Sequence, residues 1–176
     1  PNLKMIGRGG VGMDNIDVEY ARSIGRLVFN TPGASSQSVA ELVMTQMFSL
    51  ARTTYDANRQ MPEHGSADFK GLKKKYGKGI ELRGKTLGII GIGRIGQSLA
   101  SYALGCGMNV IAYDPFVEKV QVSVFVAGEE VKVNLNMVDM DTLLSSSDFI
   151  SLHVPKQANG SAVIGTSEIA KMKDGV

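Results

Sequence analysis

The chain of 176 residues contains no tryptophan and a single cysteine, Cys106. One thiol excludes an internal disulfide and fits a reducing, cytoplasmic compartment. The two histidines, His64 and His153, have none of the companions that a metal site requires. No apolar run approaches the roughly 20 residues needed to cross a bilayer. Charge of either sign is close to balanced, and a formal net charge of +2 is too small to imply a nucleic-acid or membrane partner. The first residue is Pro1 rather than Met, which reads as a cut end. Aromatic side chains make up only 6% of the chain, yet hydrophobic residues reach 43%, enough to bury a core and to exclude wholesale disorder.

Glycine is what the sequence has in excess, at 21 residues. The glycines show no three-residue period, so a collagen-like chain is excluded. They gather at the ends of apolar runs, where turns and close backbone approaches are expected. Leu3 to Ile6 reads as a strand entering the loop Gly7-Arg8-Gly9-Gly10-Val11-Gly12. Asp17 is placed to cap a helix from Val18 to Ile24, with Gly25 at its left-handed end. Leu27 to Phe29 is a second strand, ended by Pro32-Gly33. Ser38 and Glu41 have capping-box spacing, and Leu42, Val43, Met47, Leu50 and Ala51 then recur at helical intervals into the fifties. From Met61 to Lys85 the pattern dissolves. Seven positive residues and one negative lie between Lys70 and Lys85, which reads as a solvated surface loop rather than an anion site.

The stretch that follows is organised at every position. Lys85 to Ile90 is a strand, Gly91-Ile92-Gly93-Arg94-Ile95-Gly96 opens a helix, and Met108 to Tyr113 is a second strand ending in Asp114-Pro115. In such a unit the first glycine makes the turn tight, the second admits a pyrophosphate to the backbone, and the third lets helix and strand pack closely. The helix start offers free N–H groups and partial positive charge to phosphates. Asp114, 18 residues after Gly96, stands where a carboxylate accepts both ribose hydroxyls and repels a 2′-phosphate, so the pattern favours NAD over NADP. The alternatives are a packing turn for the glycines and a strand-end turn residue for Asp114. Arg94 either covers the pyrophosphate or stays solvated.

Residues 116 to 138 alternate in two valine-rich runs around Gly128-Glu129-Glu130, as a hairpin or as a degraded helix with a short strand. Asp141 to Ser145 reads as a helical turn, Asp148 to Val154 as a strand closed by Pro155, and Ser167 to Lys173 as a last helix. His153 lies at the carboxyl edge of that strand, where open α/β sheets bind ligands, so it reads as lining a cofactor cleft rather than as an acid or base. His64 has no supporting context, and Cys106 reads as a small packing residue. The Arg8 to Gly12 loop is either an anion-binding nest of backbone N–H groups or a simple crossing turn.

Together these segments resemble the D-isomer-specific 2-hydroxyacid dehydrogenases. The resemblance rests on Gly7 to Asp17, Asn30-Thr31-Pro32-Gly33, Ser38-Val39-Ala40-Glu41-Leu42, Glu81 to Gly91 and Ser151-Leu152-His153-Val154-Pro155, which occur in family order. Thr53 to Lys78 and Val117 to Val138 diverge. The resemblance implies an α/β fold. Residues 1–34 would be the end of a flavodoxin-like substrate-binding domain, and residues 35–176 an NAD-binding, Rossmann-type doubly wound parallel sheet, incomplete at its C-terminal end. It implies that the backbone amides of Gly9, Gly10 and Val11 hold a substrate carboxylate, with Arg8 near a phosphate. It places Val11, His153, Val154 and Pro155 toward the nicotinamide, and Gly91, Gly93, Arg94, Ile95, Gly96 and Asp114 on the pyrophosphate and ribose. The motifs are most similar to those of members acting on 3-phosphoglycerate at the start of serine synthesis, so the implied partner is a small phosphorylated 2-hydroxy acid. The helix from Ser38 would form a homodimer. The family's catalytic Arg, Glu and His would fall beyond Val176, leaving no catalytic residue here. A non-catalytic NAD-sensing protein of the corepressor type, which shares the fold, is the alternative.

Overall fold

A computed structural model describes residues 2–157 and 159–176. The chain opens with a small unit of two parallel strands, β1 (Met5–Arg8) and β2 (Leu27–Asn30), joined by helix α1 (Val18–Ser23). Asp17 caps α1 through a bond its carboxylate accepts from Tyr20 N–H, 2.9 Å. The first strand lies two residues later than the apolar run suggests, because its ladder extends into the glycine loop to pair Arg8 with Asn30.

Helix α2 (Ser36–Arg52) follows. It starts before the expected capping box: Ser35 is the cap position, no side chain caps it, and Ser38 lies inside the first turn. Glu41 turns instead to the Tyr102 hydroxyl, 3.2 Å away. The buried stripe is Ala40, Met44, Met47 and Ala51, whereas Leu42 and Leu50 face outward. Periodicity alone selected a neighbouring face of the same helix.

The expected loop after Met61 is instead helical. Helix α3 (Thr54–Tyr76) carries Pro62 and breaks at Asp68, whose carboxylate accepts from Gly71 N–H, 3.0 Å, and so caps the second half. That half folds back, since Lys75 Nζ reaches Asp56 Oδ2 at 2.7 Å. Hydrogen bonds from Lys75 and Tyr76 hold the Asp56 carboxyl below the ordinary carboxylate range.

A four-stranded parallel sheet forms the centre. Its strands are β3 (Thr86–Ile90), β4 (Asn109–Tyr113), β7 (Asn136–Met137) and β8 (Phe149–Leu152), in the spatial order β7-β4-β3-β8. The order reverses between β4 and β8 on either side of β3, the switch point at which open α/β sheets bind ligands. Helix α4 (Arg94–Gly105) links β3 to β4 and packs with α2 on one face, where Leu87, Ile89, Leu99, Ala100, Ala103 and Ala112 are essentially inaccessible. Helix α5 (Met140–Ser146) covers the other face with Leu143 and Leu144 against Ile90. Each such leucine or isoleucine contributes about 1.5–3 kcal/mol by leaving water. Cys106 packs at the edge of the first cluster.

The crossover from β4 to β7 contains a β-hairpin, β5 (Gln121–Val126) and β6 (Glu129–Asn134), in place of the usual helix. Val122 at its base joins the core beneath α4. The last helix, α6 (Thr166–Ile169), is shorter than the sequence suggests. Among the described residues no helix is long and apolar enough to cross a membrane.

Candidate functional site

The turn after β3 is shaped by backbone contacts. Gly91 has φ +91°, and a Cβ there would lie 2.6 Å from the His153 carbonyl oxygen. Its N–H donates to Tyr113 O at 2.8 Å, tying the turn to the end of β4. A Cβ on Gly96 would meet Gly91 O at 2.3 Å, so helix and strand touch through that glycine. Gly93 differs: a Cβ there meets nothing within 4 Å. The backbone is open to solvent at the one glycine where a ligand is expected to approach.

Gly93 also caps the start of α4. The first helical bond of α4 is Gln97 N–H to Gly93 O, 2.9 Å, and the N–H groups of Arg94, Ile95 and Gly96 find no acceptor among the described residues. No acidic residue occupies the first turn to compete for them. Three unpaired donors at the positive end of a twelve-residue helix present the kind of surface that attracts an anion.

Asp114 stands beside this turn. Its Oδ2 accepts from Ile92 N–H and its Oδ1 from Phe116 N–H, both at 3.0 Å. Each oxygen therefore has a lone pair left, and the carboxylate is fixed by two amides before any ligand arrives.

A cavity of about 470 Å³ runs from the Gly91–Gly93 turn past Asp114, and Arg94, Ile95 and Gly96 do not line it. Gly91, Gly93, Asp114, His153, Val154 and Pro155 line it, all expected from the sequence. Tyr113, Met140 and Val163 also line it, and sequence reasoning missed them. Met140 opens α5, and its packing role had no signal in the sequence because the loop before it is irregular. His153 is half-buried, and burial pushes its imidazole below the ordinary value of 6.5, toward the neutral form. Its Nε2 lies 2.9 Å from Ser151 Oγ. Arg94 is exposed beside the turn. His64 is exposed on α3, next to Glu63.

None of Arg8, Gly9, Gly10 and Val11 lines that cavity. They form a second loop, braced from β2. Thr31 Oγ1 accepts from Gly10 N–H at 2.9 Å, Thr31 N–H donates to Gly10 O at 3.1 Å, and the Asn30 amide donates to Val11 O at 2.8 Å. Gly10 N–H is thus already spent, whereas the N–H groups of Gly9, Val11 and Gly12 find no acceptor among the described residues. Arg8 folds over its own loop, donating from Nη1 to Gly9 O at 3.0 Å and from Nε to Gly12 O at 3.2 Å.

The chain is similar to known proteins over nearly its whole length. The family described as D-isomer specific 2-hydroxyacid dehydrogenase, NAD binding domain, matches residues 44–176. A hydroxypyruvate reductase of Thermotoga maritima is 49% identical over 99% of this chain and 52% of its own length. A D-3-phosphoglycerate dehydrogenase of Archaeoglobus fulgidus is 44% identical over 99% of this chain and 31% of its own length. Among solved structures, the D-lactate dehydrogenase of Aquifex aeolicus complexed with NAD and lactic acid superposes with a TM-score of 0.73 at 32% identity, covering 100% of this chain and 49% of that one. The chain spans about half, or less, of the length of these relatives.

Proposed function

From the premise that this chain belongs to the D-isomer specific 2-hydroxyacid dehydrogenases, we propose that the protein carrying it oxidises the hydroxyl carbon of a small D-2-hydroxy acid, with 3-phosphoglycerate as substrate. NAD is the cofactor of the matched domain, and when bound it supplies the carbon that accepts hydride. The observation that carries the reading is the open backbone at Gly93 beside three unpaired α4 amides and the braced Asp114 carboxylate. In this reading the amides of Arg94, Ile95 and Gly96 hold the pyrophosphate. Asp114 accepts the ribose hydroxyls, and the wall of His153, Val154 and Pro155 keeps water from one side of the cavity. Residues 1–34 belong to the substrate domain, residues 35–176 to the cofactor domain. The unpaired amides of Gly9 and Val11 hold the substrate carboxylate. We assign the base to neither histidine: His64 is exposed on α3 and does not line the cavity, and His153 bonds Ser151 Oγ in the cavity wall. The outward-facing Leu42, Phe48 and Leu50 of α2 support a homodimer through that helix, and the lone Cys106 supports a cytoplasmic setting.

One observation favours a second substrate. The Arg8 guanidinium is turned onto the carbonyls of its own loop rather than outward toward a phosphate. This suits an unphosphorylated acid such as glycerate, with hydroxypyruvate as the reverse substrate. Steady-state turnover of the protein carrying this chain separates the two. A kcat/KM for 3-phosphoglycerate well above that for glycerate supports the first reading, and the reverse supports the second. Absence of NAD⁺ reduction with either overturns both.

A further inference from the structure

The hairpin leaves one edge without a partner. Its strands pair one-to-one with no bulge, from Gln121 against Asn134 to Val126 against Glu129, across a turn of Ala127 (φ 52°) and Gly128 (φ 87°). Two consecutive residues of positive φ make a type I′ turn, whose flanking pair is hydrogen-bonded. Alternation from Val126–Glu129 then directs the backbone groups of Glu129, Val131 and Val133 at β5, and those of Glu130, Lys132 and Asn134 outward. The opposite edge agrees with this phase: Ser123, across from Lys132, has its carbonyl turned away from β6 and accepts from Ser101 Oγ of α4 at 2.7 Å. The β5 edge is therefore covered by α4, and the β6 edge has no partner strand among the described residues.

Open edges are ordinarily blocked by proline, by bulges or by charged side chains, lysine above all, and here the charged pair Glu130 and Lys132 neutralises itself within the strand. β6 has no proline and no bulge, and its outward pair carries opposite signs, Glu130 and Lys132. An antiparallel two-fold contact of β6 with itself has three neighbouring registers. One centred on Glu130 sets like carboxylates together, and one centred on Lys132 sets like ammoniums together. The register centred on Val131 places Glu130 opposite Lys132 of the second copy twice, both as hydrogen-bonded pairs. It also abuts the two valine faces, which otherwise leave Val126 and Val131 about half exposed.

We propose that β6 is a self-association edge that joins a second copy of this chain in the Val131-centred register, a surface separate from α2. The inference rests on the hairpin alone and not on the proposed substrate. It is tested by oxidative cross-linking of Val131→Cys in a Cys106→Ala background of the protein carrying this chain. Across the axis Val131 faces its own copy as a non-hydrogen-bonded pair, with Cα atoms about 4.5 Å apart, within disulfide reach. Rapid covalent dimer formation is expected, reduced about five-fold or more by Glu130→Lys or Lys132→Glu alone and restored by the two together, since like charges directly opposed destabilise a pair. The proposal is overturned if Val131→Cys cross-links no faster than the exposed control Phe116→Cys, or if charge reversal leaves its rate unchanged.

Discussion

The carboxylate of Asp114 receives the Ile92 N–H at 3.0 Å, so the end of β4 is latched to the turn after β3. The residue proposed to read the ribose is also a brace of the loop proposed to hold the pyrophosphate. Asp114→Ala removes both roles, and NAD affinity is expected to fall by about ten- to a hundredfold, the worth of a charge-assisted hydrogen bond. Asp114→Asn keeps one acceptor oxygen and is expected to lose less. Calorimetric titration with NAD orders the three proteins, and equal affinities would sink the assignment.

Gly93 and Gly96 are expected to respond in opposite ways to the same substitution. Gly96→Ala forces a methyl group against a backbone oxygen 2.3 Å away, and thermal unfolding should show a loss of about 1–3 kcal/mol. Gly93→Ala meets open space and has an unstrained φ of −69°, so its melting temperature should stay close to the parent's while NAD binding weakens about tenfold or more. A Gly93→Ala protein that binds NAD normally would contradict the placement of the pyrophosphate.

Asn30 and Thr31 hold the Gly9–Gly12 loop without lining it. Asn30→Ala and Thr31→Val each free one anchor of that loop. Steady-state kinetics should show KM for the 2-hydroxy acid rising several-fold, on the order of the 1 kcal/mol of a lost hydrogen bond, with KM for NAD unmoved. A parallel rise in both would mean a general loosening of the chain rather than a positioning role.

His153 gives stability a pH dependence of definite sign. Burial lowers its value below 6.5 in the folded state, so below about pH 6.5 the unfolded chain binds the proton more readily. Stability is therefore complete above that pH and declines as pH falls through 6.5 toward the folded-state value. Denaturant unfolding at pH 7.5 and pH 5.5 should show a smaller difference for His153→Gln than for the parent. An unchanged difference would assign the slope to the carboxylates instead.

The centre of the fold was legible in the sequence because burial wrote it there. β3 is buried from Leu87 to Ile90, so its apolar run has no ambiguity, and the glycine turn and Asp114 follow at intervals fixed by contacts with β4 and His153. Helix α3 was not legible for the complementary reason. Only Leu72 is buried along it, so no apolar stripe repeats every turn, and Pro62, Gly65, Asp68 and Gly71 read as breakers. The α2 start was misplaced because Ser38 and Glu41 satisfied a pattern whose hydrogen bonds the structure spends elsewhere. In the hairpin the alternation was visible, but Ala127 is an uncommon residue for a left-handed turn position. The bonds that spend Gly10 N–H on Thr31 connect residues 21 positions apart and leave no local trace.

The strand order also sets a timetable for synthesis. β3 finds its first neighbour, β4, within the next 28 residues, but its second, β8, only at Phe149. At about 5–20 residues per second, the gap from Tyr113 to Phe149 leaves one side of the most buried strand of the sheet waiting for about two to seven seconds. The hairpin emerges inside that interval, and α4, on which its β5 edge packs, is already made. A nascent chain arrested before Phe149 should therefore carry a finished hairpin beside a sheet still exposed to chaperones.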